Sequence, residues 1–301
     1  MKILSKYKNG NYIVTLYEDG TKIKENNESF FDSEFPDSFD LKITDYCDNN
    51  CPMCHENSSI LGKHGNLSHP IFDSLPNGIE IAIGGGNPLS HPDLISFLKK
   101  MKNKNIICNM TVNENHFLKN INLIKFLIKE KLIFGLGISL TKISEETLIF
   151  ASEYKNTVFH VINGIFMDYH KIANKGYKIL ILGYKKFGRG ESYFNKNIDS
   201  NMFITKKLIQ LLFKQFKIIS FDNLAIDQLD IKSLLKDEFD SIYMGNDGES
   251  SMYIDLVNEE FAISSTSLKR YKLENNLIKC FQIIKATKCK NFNLIKRNNE
   301  I

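Results

Sequence analysis

Three cysteines crowd into one short polar segment, Asp45-Tyr46-Cys47-Asp48-Asn49-Asn50-Cys51-Pro52-Met53-Cys54-His55. Thiolates are soft ligands, suited to zinc or to iron–sulfur clusters. Three of them take three irons of a cubane and leave the fourth iron open. An open metal position is what a reactive site needs, whereas a structural zinc site is closed. The zinc alternative would recruit His55 or a distant residue as fourth ligand. Zinc knuckles and ribbons repeat a C-x2-C pair, and no second pair exists here. Three unligated buried cysteines fit poorly with so polar a segment. The other cysteines, Cys108, Cys280 and Cys289, are scattered. A disulfide scaffold would be denser and shorter, so the pattern suits a reducing cytoplasm.

Glycines and short polar residues after apolar runs form a second group. Ile83-Gly84-Gly85-Gly86-Asn87-Pro88-Leu89 is one. Its glycines suit close approach of the backbone to a ligand, or a tight turn. Asn113, Ser139 and Asn163-Gly164 close further runs. Each alone reads equally as a turn residue or as a ligand contact. Their shared location carries more weight, because parallel α/β folds bind ligands at the carboxyl ends of strands. Gly183-Tyr184-Lys185-Lys186-Phe187-Gly188-Arg189-Gly190 is a basic, glycine-flanked loop. Arg189 is its preferred residue for an anionic group, the alternative being a solvated surface loop. His55 could line a pocket or carry protons. His64, His69, His91, His116, His160 and His170 show no ligand spacing and receive no role.

The elements that would position these residues follow a rhythm. Apolar runs at Leu41–Thr44, Ile79–Ile83, Ile106–Val112, Ile133–Leu140, Val158–Ile162 and Ile179–Leu182 read as strands, with a weaker one at Ile218–Phe221. Between them lie helical patterns: Leu94, Phe97, Leu98 and Met101; then Phe117, Ile121, Ile124 and Ile128; then a helix opened by Ser144 with Glu145 and Glu146; then a longer one marked by Ile204, Leu208 and Leu211. This alternation predicts right-handed βαβ units and a parallel sheet. Periodicity does not separate a doubly wound sheet from a barrel. Ahead of it, residues 1–36 read as a β-meander, with turns at Asn9-Gly10 and Asp19-Gly20. Behind it, residues 239–301 read as an α+β extension. There Ser241–Met244, Ser251–Leu256 and Phe261–Ser264 are expected as antiparallel strands, and Leu273 to Ile284 as a closing helix.

C-x3-C-x2-C after the first strand of such a core resembles the radical S-adenosylmethionine (SAM) superfamily, over roughly Phe39 to Gly190. The resemblance implies an α/β fold for residues 37–238, a partial (βα)6 barrel. It implies a [4Fe-4S] cluster on Cys47, Cys51 and Cys54, with Met53 against the adenine of SAM. Gly84, Gly85, Gly86 and Asn87 stand where the family has Gly-Gly-Glu-Pro, which receives the SAM amino group. Asn87 departs from the usual Glu: it accepts a hydrogen bond but brings no charge. Ser139 and Asn113 are candidates for the SAM ribose or carboxylate. Asn163 and Gly164 resemble the motif near the adenine, and Arg189 is placed for an anionic group of SAM or substrate. The implied reaction cleaves SAM reductively and gives a 5′-deoxyadenosyl radical, which abstracts hydrogen from substrate. A flavodoxin or ferredoxin is the implied electron donor. The substrate, a peptide or protein against a small molecule or nucleotide, stays open. So does the identity of any catalytic side chain. A peptide modifier often carries a peptide-binding β-element, and the meander hints at one.

The bulk properties fit a soluble enzyme. A net charge of +4 permits an anionic partner without demanding one, and argues against a dedicated nucleic-acid binder. No apolar run approaches the roughly 20 residues that span a bilayer. No signal-like segment opens the chain, so a cytoplasmic location is expected. The competing function class is a zinc-stabilised binding module, with nucleic acid as its candidate partner.

Overall fold

Asn9-Gly10 and Asp19-Gly20 turn as expected, with φ of 57° and 90° at the two glycines, a region that favours glycine. They join β1 (Ile3–Asn9), β2 (Tyr12–Tyr17) and β3 (Lys22–Glu25) into an antiparallel meander. The computed structural model describes residues 2–298, with side chains to residue 287.

The core follows as a series of strands and helices. Its strands and helices are β4 (Ser38–Lys42), β5 (Glu80–Gly84), α1 (Leu94–Asn103), β6 (Ile107–Asn113), α2 (Glu114–Lys119), α3 (Ile121–Lys129), β7 (Gly135–Leu140), α4 (Glu145–Glu153), β8 (Thr157–Ile162) and β9 (Lys178–Leu182). Then come α5 (Arg189–Tyr193), α6 (Lys196–Gln215), β10 (Ile218–Phe221), α7 (Asn223–Leu229), α8 (Ile231–Leu235) and α9 (Phe239–Ile242). The chain closes with β11 (Ser251–Asp255), β12 (Glu260–Ala262), β13 (Tyr271–Lys272) and α10 (Leu277–Asn298).

Ten strands form one sheet in the order β10-β9-β8-β7-β6-β5-β4-β11-β12-β13, parallel from β10 through to β11. From β4 to β10 the spatial order is the sequence order. With right-handed crossovers, such an order puts every connecting helix on the same face. A doubly wound sheet reverses direction, and this one does not between β4 and β10. The sheet ends at β10 and β13.

The two faces differ. Phe39, Leu41, Ile81, Ile83, Met110, Val112, Ile138, Phe159 and Ile181 are at most 1–2% exposed and join the helices in one core. The alternate residues include Asp40, Lys42, Asn109, Thr111, Ser139 and His160, so the opposite face is polar. The meander sits at the starts of the strands. Ser5 Oγ donates to Gly78 O, Lys22 pairs with Glu80, Lys24 pairs with Asp37, Asn156 Nδ2 donates to Glu18 O, and Lys178 Nζ donates to Asp19 O. It therefore lies at the opposite strand ends from the cysteine segment.

The structure departs from the expectations in detail. The Ile204, Leu208 and Leu211 stripe of α6 is exposed, while Ile198, Thr205, Ile209 and Leu212 face the core. The helix forms as the spacing predicted and is apolar on two sides. Ser241–Met244 is not a strand: α9 ends at Ile242, and Phe239 stacks on Tyr243 at 4.7 Å, an i,i+4 contact of a helical turn. Ser251–Leu256 does form a strand and pairs antiparallel with β12 as expected, but on its other side it runs parallel to β4. Only β12 and β13 continue antiparallel. The closing helix is longer than expected, and Cys280, Phe281 and Ile284 anchor it in the core. No helix among the described residues is long and apolar enough to cross a membrane.

Candidate functional site: a thiol triplet at the strand ends

The cysteine segment leaves the end of β4 and folds back on it. Cys47 N donates to Ser59 O, Ser59 N to Asp45 O, and Asp45 N to Lys63 O. Within the loop Cys54 N donates to Cys51 O at 3.2 Å. The thiols lie close enough to sense one another. Burial first, and then the neighbouring sulfurs, push Cys51 above the ordinary thiol range. Burial first, with Cys54 contributing, does the same for Cys47. A metal displaces those protons on binding. Among the described residues no three His, Cys, Asp or Glu side chains gather around one ion-sized point. A cubane does not need that, because each thiolate takes a different iron.

Cations and amides moor the loop on three sides. Arg189 Nε donates to Cys51 O and Nη2 to Ser58 O, both at 3.0 Å, and its backbone N donates to Cys54 O. Two of its side-chain donors are thus committed to backbone carbonyls, not to an anionic ligand. Asp48 accepts from Lys119 Nζ at 3.0 Å and from His116 Nε2 at 2.7 Å, which lowers its carboxyl to about 2. Asn49 Nδ2 donates to Cys51 Sγ at 3.0 Å and is itself held by Asn115. Lys42, from β4, reaches both flanks of the triplet: Asp45 Oδ1 at 2.7 Å and Glu56 Oε2 at 3.0 Å. It also meets Asp255 Oδ2 of β11 at 3.1 Å. Tyr253 donates to Glu56 Oε1 at 3.1 Å, and His55 Nε2 lies 3.3 Å from the same oxygen. Burial, and then Lys185, lowers His55 below its ordinary value despite that carboxylate.

The glycine-rich end of β5 abuts this loop. Gly86 N donates to Thr44 O and Asn87 N to Tyr46 O, at 2.7 and 2.6 Å. A Cβ on Gly85 would fall 2.5 Å from Thr44 O, and one on Gly86 would fall 2.2 Å from Tyr46 O. Packing of the two chain segments already requires glycine at both positions. Gly84 differs: a Cβ there would meet nothing within 4 Å. Asn87 is 7% exposed and its Oδ1 has no partner among the described residues. A buried acceptor without a donor is costly, so this atom suits an incoming N–H such as an ammonium.

The remaining candidates are spread along the strand ends. Asn113 Oδ1 caps α2 by accepting from Asn115 N. Asn163 is fully buried, gives Nδ2 to Gln228, and leaves Oδ1 unpartnered. Gly164, at φ 81°, is packed under α6, where a Cβ would lie 2.6 Å from Met202 Cγ. Ser139 stands in register with Asn113 on one side and His160 on the other. Met53 is half-buried in the loop, and Gly190 approaches its carbonyl. His160 and the Lys42–Glu56–Tyr253–Asp255 network received no role from sequence. For His160 the signal was strand alternation, which puts it on the polar face with Thr111 and Ser139.

No family model matches the chain and no curated protein matches its sequence. Solved structures do match. Streptococcus suis SuiB bound to S-adenosylmethionine superposes with a TM-score of 0.54 at 14% identity, covering 80% of this chain and 64% of that one. SuiB without a named ligand gives 0.52 at 14% identity, covering 82% and 64%. SuiB bound to precursor peptide SuiA gives 0.48 at 16%, covering 83% and 65%. The chain thus spans less than two thirds of the length of these structures. At such identity the likeness shows the fold: an α/β chain with a large, mostly parallel sheet, similar to that of SuiB.

Proposed function

We propose that the chain is a radical SAM enzyme, its sheet a partial barrel of βα units, with Cys47, Cys51 and Cys54 holding a [4Fe-4S] cluster. One observation carries the reading. Three mutually close thiols stand beside a glycine-rich strand end whose buried acceptor, Asn87 Oδ1, lacks a donor. When bound, the cluster and SAM supply the reductive cleavage that yields a hydrogen-abstracting radical. The chain's own residues hold and shield. Arg189, Lys42 and the Asp48 pair fix the loop, while Asn87 receives the amino group of SAM. Asn113, Ser139, Asn163 and Gly164 line the strand ends on which SAM and substrate would lie. A flavodoxin or ferredoxin would supply the electron, and residues 239–301 would close one side of the site.

Anaerobic reconstitution tests the reading. The chain should turn brown and take up about four irons, one cubane, whereas a zinc module stays colourless. One cluster is expected because Cys108 and Cys280 are 1% and 0% exposed, and burial pushes their thiols up to about 12 and about 11. The side chain of Cys289 lies outside the described residues. Replacing Cys108, Cys280 and Cys289 by alanine should leave the iron content unchanged. Loss of half of it would mean a second cluster.

Asn87→Ala should weaken SAM binding several-fold, the worth of about 1 kcal/mol for one neutral hydrogen bond. Asn87→Glu should bind at least as tightly, since a carboxylate makes a charge-assisted bond to an ammonium. Calorimetric titration of the reconstituted protein decides. Unchanged binding in the alanine variant would show that Asn87 does not face the ammonium.

A further inference from the structure

The polar face carries a carboxylate with no task so far. Asp40 lies in the middle of β4 between the buried Phe39 and Leu41, so its side chain points the other way, with that of Lys42. Ala82 of β5 and Tyr253 of β11 stand in register beside it. Lys42, two residues or roughly 7 Å along the strand, ties both flanks of the thiol loop. Asp40 itself meets no donor among the described residues. It touches solvent, yet burial against the surrounding protein pushes its carboxyl up to about 6. Lys185 opposes that rise, and Asp247, Asp222 and Glu56 add to it. A side chain that touches water while protein surrounds it lines an interior space.

That space is a cavity of about 110 Å³. Residues of β4 and β11 form one wall, and residues that follow β9 and β10 form the other, so the sheet curves round its polar face. Lys185 is the one cation among the lining residues, against the carboxylates of Asp40, Asp222 and Asp247. Three of these four are already engaged. Asp222 accepts from Gly183 N at 2.8 Å and Ala225 N at 2.7 Å, Asp247 accepts from Asn223 Nδ2 at 2.6 Å, and Lys185 donates to Ser265 Oγ at 2.9 Å. Asp40 is the member left without a partner. The surplus of negative charge draws a cation and repels an anion, and a neutral guest would leave Asp40 unanswered. A bare metal ion fits poorly, because among the described residues no three ligating side chains gather around one point. An organic cation differs: an ammonium or guanidinium presents several donors and needs no closed shell of ligands.

We infer that Asp40 receives a cationic group of the substrate, an amine or a guanidinium, in the cavity beneath the thiol loop. The inference rests on the proposed function only for the reaction that the substrate undergoes; the cation site stands without it. Methylammonium is the probe, titrated at neutral pH into the full reconstituted chain with 13C-labelled aspartate carboxyls. Acetate and acetamide are the controls, and potassium chloride matches the ionic strength. The Asp40 carboxyl signal, assigned with Asp40→Asn, should move saturably with methylammonium and stay with the other three. Its titration midpoint should fall below about 6 when the probe is present, because a neighbouring cation favours the carboxylate. Lys185→Met should tighten the response several-fold, since it removes the cation that competes for Asp40. No response to methylammonium, an equal response to acetamide or potassium chloride, or a weaker response in Lys185→Met would overturn the site. Cys51→Ala should respond like the parent. A response from a chain that takes up no iron would therefore sink the enzyme reading and leave the cation site. Iron uptake without a response would do the reverse.

Discussion

Given SAM and a reductant under anaerobic conditions, the reconstituted chain should release 5′-deoxyadenosine slowly even without substrate, and Cys51→Ala should abolish the release. Cys51 is held at two points: its sulfur accepts from Asn49 Nδ2, and its carbonyl accepts from Arg189. Losing it leaves two thiolates for a cubane that needs three, so iron uptake and cleavage should fall together to the level of a protein-free control. Asn49→Ala should act more mildly. It keeps every ligand but removes an N–H from the sulfur, and such bonds help set a cluster's potential. Its iron content should match the parent while its reduction potential moves. Nucleoside release by chromatography, with iron analysis of the same samples, measures the first claim. A Cys51→Ala chain that kept both its iron and its cleavage would mean that the triplet is not the ligand set.

What was readable in the sequence is what local chemistry determines. The thiol spacing was visible because it is short, and the core strands because they are apolar on the helix side. Ile218–Phe221, weak as a strand pattern, became β10 with the predicted bounds. Reasons for residues were harder to read than their places. Gly85 and Gly86 invite a ligand-binding explanation, yet the atoms that forbid a side chain there belong to Thr44 and Tyr46. Arg189 invites an anion, yet it meets the carbonyls of Cys51 and Ser58. In both cases the partner is backbone from a distant segment, which carries no sequence signal. The α6 spacing marked the helix, yet a hydrophobic period does not tell which of two apolar faces the sheet covers. Lys42 and Asp255 lie 213 positions apart, and only the parallel pairing of β11 with β4 brings them together.

That same network sets the largest stability effect expected in the molecule. Lys42 is 6% exposed at its side chain and is shared by Asp45, Glu56 and Asp255. Removing one partner of a buried ion pair leaves charge uncompensated and costs roughly 3–5 kcal/mol. Lys42→Met should therefore lower the melting temperature by on the order of 10 °C. It should also loosen the cysteine loop, whose two flanks Lys42 ties, and so lower iron retention. Lys42→Arg should recover part of both, since the charge returns with a different donor geometry. The pH dependence follows from Glu56. Contacts with His55 and Lys42 outweigh burial and hold its carboxyl at about 2, against an ordinary 4.5. A depressed carboxyl contributes stability that is fully present above its unfolded value and is lost as pH falls toward the folded one. For this shift that amounts to roughly 3 kcal/mol at neutral pH. The gap between parent and Lys42→Met should thus be widest above about pH 5 and narrow steadily towards about pH 2, as protonation removes the charge that Lys42 answers. Denaturant titrations across that range measure the gap. A gap independent of pH would mean that Lys42 stabilises by packing its methylenes and not by its charge. No gap at all would mean that the three carboxylates find other partners when it is gone.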